Sequence, residues 1–184
     1  MNDPIRLLAL SGSLRQASFN TRLAQLMASC APQRVTVEVA TCHGVPLYDG
    51  DVEENEGIPA PVEAMRERIR QSHGLILVTP EYNGAMPGVF KNTLDWLTRP
   101  PEQMVPTFRG RPTALAGATP GGLGTTLAQA GSLVVLRQLK VRLYPEHLRV
   151  SGAAEQLPES GSVPDGLRDQ VQRWLEGFCE FVCD

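Results

Sequence analysis

Three short segments concentrate the residues of this chain whose types and spacing could hold a small ligand. The first is Ser11-Gly12-Ser13-Leu14-Arg15-Gln16-Ala17-Ser18-Phe19-Asn20. Its small residues let backbone N–H groups turn inward, and Ser11, Ser13 and Ser18 add hydroxyl donors. Asn20 is suited to cap a following helix, whose positive end favours an anion. Arg15 supplies a full positive charge of the kind that pairs with phosphate. The second segment is Thr79-Pro80-Glu81-Tyr82-Asn83-Gly84-Ala85-Met86-Pro87-Gly88. Two prolines stiffen it, two glycines shape it, and its backbone N–H groups can line the edge of a flat ligand. The third is Thr119-Pro120-Gly121-Gly122-Leu123-Gly124-Thr125, whose three glycines permit close backbone approach just before a helix. Neither G-x-G-x-x-G nor G-x-x-x-x-G-K-[ST] occurs, which counts against a dinucleotide-binding fingerprint or a P-loop.

Other chemistry-bearing residues are less organised. His43, His73 and His147 are scattered without metal-ligand spacing, so structural or surface roles and no metal site are expected. Glu81 could be read as a catalytic carboxylate. Asp95 and Trp96 fall at helical positions suited to packing or an interface. The four cysteines, Cys30, Cys42, Cys179 and Cys183, include no C-x-x-C pair, so packing or surface thiols are expected rather than redox chemistry.

The elements around the three segments must bring them together. Ile5 to Leu10 reads as a buried strand, followed by Leu23, Leu26, Met27 and Cys30 at helical spacing. Val35, Val37 and Val39 alternate as a second strand. Val62, Met65 and Ile69 mark a helix starting near Pro61, and Leu75 to Thr79 is a third strand. Phe90, Leu94 and Leu97 mark the next helix. Thr113 to Ala118 is a fourth strand, followed by a helix from about Thr125 to Leu139, and Val141 to Tyr144 is a short fifth strand. Leu167, Val171, Trp174, Leu175, Phe178 and Val182 stripe a closing helix. Alternating strands and helices predict a doubly wound α/β fold with a five-stranded parallel sheet in the order 2-1-3-4-5 and right-handed crossovers. In such a sheet ligands bind beyond the carboxyl ends of the strands, at the switch between strands 1 and 3, which is where the three segments emerge. Two stretches read as surface loops. Asp49 to Gly57 carries five acids in nine residues, and Thr98 to Pro112 is too rich in proline for a helix.

At 184 residues one domain spanning 1–184 is expected, long enough to bury a proper core. The net charge is −3 and no block of Lys and Arg stands out, which argues against nucleic acid or an anionic membrane as partner. No apolar run approaches the roughly 20 residues of a membrane span. Met1-Asn2-Asp3-Pro4 shows no basic or apolar targeting segment, and a reduced, cytoplasmic protein is expected.

Taken together, Gly12-Ser13-Leu14-Arg15 with Ser18 and Asn20, the run from Thr79 to Trp96 (TPEYNGAMPGVFKNTLDW), and Gly117 to Thr125 (GATPGGLGT) resemble the NADPH-dependent FMN reductase family. The resemblance spans Ile5 to Tyr144. It implies a flavodoxin-like fold and an NAD(P)H-dependent reductase that passes electrons through bound FMN by a ping-pong mechanism. The acceptor would be a small molecule such as a quinone, chromate or an azo compound. It further implies that Ser11, Ser13, Leu14, Arg15, Ser18, Phe19 and Asn20 hold the FMN phosphate. Pro80, Glu81, Tyr82, Asn83 and Gly84 would border the ring and ribityl chain, and Thr119, Pro120, Gly121 and Gly122 would cover the remaining ring edge. No side chain is required as a general acid, and Tyr82 would shape the ring pocket. NADPH and NADH both stand as donors. A homodimer or homotetramer is implied, although Thr125 to Ser132 lacks the arginine that family members often carry there. The rival reading is a non-enzymatic FMN carrier of flavodoxin type. Such carriers are usually more acidic and lack an arginine in the phosphate loop.

Overall fold

Short apolar strands alternate with helices that each bury one face, and the chain closes into an open parallel sheet covered on both sides. In order the elements are β1 (Ile5–Ser11), α1 (Phe19–Ser29), β2 (Val35–Thr41), α2 (Gly50–Glu56), α3 (Ala60–Gln71), β3 (Gly74–Val78), α4 (Gly88–Leu97), α5 (Met104–Phe108), β4 (Pro112–Ala118), α6 (Thr126–Leu139), β5 (Arg142–Leu143), β6 (Leu148–Val150), α7 (Ala153–Gln156) and α8 (Asp165–Cys183). The computed structural model describes residues 4–184. Met1 to Asp3, part of the stretch expected to carry no targeting segment, lie outside the described residues. Among the described residues no helix is long and apolar enough to cross a membrane.

The strand order is β2-β1-β3-β4-β5 with parallel pairing, as the periodicity predicts. Successive strand residues point to opposite faces, and this sorts the core into two layers. On β1, Leu7 and Ala9 pack with Leu23 and Met27 of α1 and with Trp174 and Phe178 of α8. Leu8 and Leu10 pack on the other face with Ile69 of α3, Leu94 of α4 and Leu136 of α6.

Three segments depart from the sequence reading. The fifth strand is divided. β5 pairs with the start of β4 (Pro112↔Arg142), and β6 pairs with its end (Ala116↔Leu148 to Ala118↔Val150), which makes the sheet six-stranded. Pro145, which has no N–H to donate, stands in the interruption.

The acidic stretch expected as a loop is helix α2. The Asp49 carboxylate caps it by accepting from the Asp51 N–H at 2.9 Å, and Asp51 and Glu53 occupy the first turn, where the helix dipole favours negative charge. The helix buries none of its residues, which is why no apolar period announced it. Glu53 anchors it, accepting from Arg99 Nε at 2.7 Å and from the Tyr48 hydroxyl at 2.9 Å. The Arg99 guanidinium in turn holds the Glu53 carboxyl below the ordinary range. Trp96 is fully buried and donates from Nε1 to the Pro46 carbonyl at 2.9 Å, so it packs the core and is not an interface residue. Asp95 pairs with Lys91 at 2.7 Å.

The proline-rich stretch contains a 3₁₀ turn, Pro101–Gln103, and then α5. Pro101 and Pro106 sit in opening turns, where the missing N–H has no helical partner to lose. Arginines hold the segment: from α3, Arg66 donates to the Arg99 carbonyl and Arg70 to Gln103, and within it Arg111 Nε donates to the Thr107 carbonyl at 2.7 Å.

Candidate functional site

The three segments leave the carboxyl ends of β1, β3 and β4 side by side. The first departs at Gly12, whose N–H donates to the Val78 carbonyl at 2.9 Å. A Cβ there would lie 2.3 Å from the Phe90 ring, so only glycine lets the loop turn against α4. Ser18 caps α1, its hydroxyl accepting the Thr21 N–H at 3.2 Å. Ser13 Oγ accepts the Arg15 N–H at 3.3 Å. Each of these hydroxyls accepts from the backbone and keeps its own proton to donate. Among the described residues, the N–H groups of Ser13, Leu14, Gln16 and Ala17 have no hydrogen-bond partner. Beside them open the unpaired N–H groups that begin every helix.

Two expectations for this loop are corrected. Ser11 is fully buried and its hydroxyl lies 2.9 Å from Thr21 Oγ1, so it supports the back of α1 and offers no donor to a ligand. Asn20 does not cap α1 but lies inside its first turn. Its amide nitrogen donates to the Ala118 carbonyl at 3.0 Å, and its oxygen accepts the Ala118 N–H at 2.9 Å. The β3–β4 register ends at Val78↔Ala116, two residues short of Ala118. There the Asn20 amide takes the place of a neighbouring strand, because it presents a donor and an acceptor together as a strand residue does.

The second segment folds into a two-residue hairpin. Tyr82 and Ala85 exchange backbone hydrogen bonds at 2.9 and 3.1 Å, and Asn83 and Gly84 have φ of 53° and 73°, the left-handed pair that the Asn-Gly sequence favours. Glu81 Oε2 accepts the Ala128 N–H at 2.9 Å. It thereby satisfies the first turn of α6, which has no side-chain cap of its own. Glu81 therefore ties the second segment to the helix that follows the third. Glu81→Ala should lower thermal stability by about 1 kcal/mol, as loss of a helix cap does. A melting temperature equal to that of the parent protein would count against this cap.

The third segment lies against the second at Gly117, where a Cβ would stand 2.0 Å from Thr125 Oγ1 and 2.4 Å from the Thr79 carbonyl oxygen. Residues that the sequence reading missed brace it. Thr119 N donates to Val150 O at 3.0 Å, Gly152 N to Gly121 O at 3.2 Å, and Ser151 Oγ to Gly122 O at 2.9 Å. The only sequence signal for this brace is the apolar pair Leu148 and Val150 flanking Arg149.

The loops enclose one open cleft of about 270 Å³, lined by Ser13, Arg15, Ser18, Phe19, Asn20, Pro80, Glu81, Tyr82, Ala118, Thr119 and Pro120. Six other expected site residues are not among its lining. Ser11 is buried behind the loop, Leu14, Asn83 and Gly84 are exposed at its margin, and Gly121 and Gly122 are exposed with their carbonyls turned to the brace. Ala118 is the lining residue the sequence did not single out. Cys42 lies behind the first loop, its thiol 3.5 Å from the Ser11 carbonyl, and burial pushes its pKa up to about 11. It stays protonated at neutral pH and is no nucleophile.

The NADPH-dependent FMN reductase family model matches residues 5–155 of the chain. An NAD(P)H-dependent FMN reductase of Pseudomonas aeruginosa is 39% identical over 180 residues, covering 97% of this chain and 95% of that protein. A quinone reductase of Escherichia coli is 36% identical, covering 99% of this chain and 97% of that one. Among solved structures, the flavoenzyme NAD(P)H:(acceptor) oxidoreductase FerB from Paracoccus denitrificans superposes with a TM-score of 0.83 at 27% identity, over 97% of each chain. The chain thus belongs to the NADPH-dependent FMN reductase family and is an oxidoreductase of flavodoxin-like fold.

Proposed function

We propose that residues 1–184 act as one FMN-binding domain that carries electrons from NADPH or NADH to small acceptors, quinones first, with chromate and azo compounds as further candidates. The observation that carries this reading is the set of N–H groups without a protein partner on Ser13, Leu14, Gln16 and Ala17, just ahead of α1, with the Arg15 side chain beside them. This is a cradle for a doubly charged phosphate ester. When bound, FMN would supply the hydride- and electron-transfer chemistry. Ser13, Arg15, Ser18 and the head of α1 would hold the phosphate, and Pro80 to Tyr82 with Thr119 and Pro120 would flank the ring. Among the described residues Glu81 is the one carboxylate lining the cleft, and it is engaged with Ala128, so the site offers shape and N–H dipoles rather than an acid–base pair. The test is the visible spectrum of the purified protein, followed by NADPH under anaerobic conditions. Flavin absorbance that bleaches supports the reading. A colourless protein that takes up no added FMN overturns it.

One face of the bound flavin would lie against the protein, so donor and acceptor would have to take turns at the other. Steady-state rates of NADPH oxidation against a quinone should give parallel double-reciprocal lines. Intersecting lines would show that both bind at once and would reject a shared opening.

The outer face of α6 presents Leu127, Ala130, Gly131 and Val134, with Leu123 beside its start, and Val134 is 76% exposed. A second copy of the chain is the occupant that fits an apolar stripe next to the cleft. Light scattering should report a homodimer or homotetramer at micromolar concentration, and Val134→Glu should shift it toward monomer. A monomeric parent protein would refute the assembly.

A further inference from the structure

His43 lies outside the cleft, yet it holds the peptide on which the first loop turns. Its Nε2 is 3.1 Å from the Leu14 carbonyl oxygen, and its Nδ1 is 2.8 Å from Thr41 Oγ1. A carbonyl can only accept, so Nε2 carries a hydrogen and donates it. Nδ1 faces the Thr41 hydroxyl, which can donate to it and so leaves the hydrogen on Nε2 for Leu14. Thr41 ends β2 in register with Ser11, the last residue of β1. The ring is therefore hung from the sheet at the point where the first loop begins.

The Leu14–Arg15 peptide is trans, and in a trans peptide the carbonyl and the following N–H point opposite ways. With the Leu14 carbonyl held outward by His43, the Arg15 N–H is turned the other way, onto Ser13 Oγ at 3.3 Å, and both Ser13 and Arg15 line the cleft. Leu14 is itself 45% exposed, so its side chain does little to fix this peptide.

We propose that His43 is a positioning residue for the anion-binding loop, setting the orientation of the Leu14–Arg15 peptide and with it the donors that meet the FMN phosphate. The proposal rests on the reading of that loop as the phosphate site. His43→Phe keeps a flat ring and removes the donor. His43→Gln places an amide N–H near the position of Nε2. Thr41→Val removes the hydroxyl that steadies the ring.

Apoprotein of each variant is titrated with FMN and with riboflavin, and flavin fluorescence quenching is followed. His43→Phe should raise the FMN dissociation constant about fivefold to tenfold, the loss of one well-placed hydrogen bond, with riboflavin changed less than about twofold. His43→Gln should return FMN binding to within about twofold of the parent protein, and Thr41→Val should give a smaller loss confined to FMN. Unchanged FMN binding in His43→Phe, an equal loss for both flavins, or no recovery in His43→Gln overturns the proposal. If His43→Phe does not fold, the FMN-to-riboflavin ratio of Thr41→Val decides in the same way. A parent protein that binds FMN no more tightly than riboflavin overturns instead the reading of the loop as a phosphate site.

Discussion

Arg15→Ala is expected to weaken FMN binding by roughly tenfold to a hundredfold while riboflavin binding changes little. The FMN phosphate carries a charge of about −1.5 to −2 at neutral pH. The backbone N–H groups and serine hydroxyls of the first loop meet it with partial charges only. Arg15 is the full cation of that loop, it is exposed, and among the described residues it makes no ion pair. A hydrogen bond to a charged group contributes about 1.5–3 kcal/mol, and that sets the range given. The fold should be untouched, because an exposed loop arginine contributes little to the core. Titration of apoprotein with each flavin decides the matter. Equal losses for FMN and riboflavin would remove Arg15 from the phosphate and leave the loop's hydroxyls and backbone to hold it.

Asn20→Ala should cost about 2–6 kcal/mol of stability, measured by urea denaturation of the apoprotein. The side chain is buried and satisfies both polar groups of Ala118 at once. Removing it strands a buried N–H and a buried carbonyl, each at about 1–3 kcal/mol. Asn20 also joins the head of α1 to the end of β4, so the variant should bind FMN more weakly as the first and third loops lose their common brace. A loss below about 1 kcal/mol would mean that water reaches Ala118 and that the clamp contributes little.

The two substitutions separate functions that the sequence places five residues apart in one loop. Arg15 is exposed and contributes charge, whereas Asn20 is buried and contributes registration. Asn20 is a polar residue at the head of a helix, and residue type alone favours a cap there. Its actual partner is 98 positions away.

That contrast shows what was legible in the sequence and what was not. The order of the sheet, its two packed faces and the convergence of three loops were determined by local patterns. Continuously apolar strands such as Leu7 to Leu10 and the helical stripe from Leu167 to Phe178 leave few ways to bury their faces. The cleft residues Ser13 and Arg15 were likewise visible, because a turn after a buried first strand rarely carries so many donors, and Tyr82 because it stands in a loop stiffened by prolines and shaped by glycines. Helix α2 was not legible, since it buries nothing and leaves no apolar period, and its anchor Arg99 is 46 positions from Glu53. β6 and the Ser151–Gly152 brace left only the short alternation of Leu148 and Val150 about Arg149, and the turning of Ser11 away from the cleft and the hold of His43 on Leu14 were decided by tertiary structure alone. Each depends on one hydrogen bond or a short pairing between segments distant in the chain, and such a contact leaves no periodic trace, because any nearby donor or acceptor of the right type could have made it.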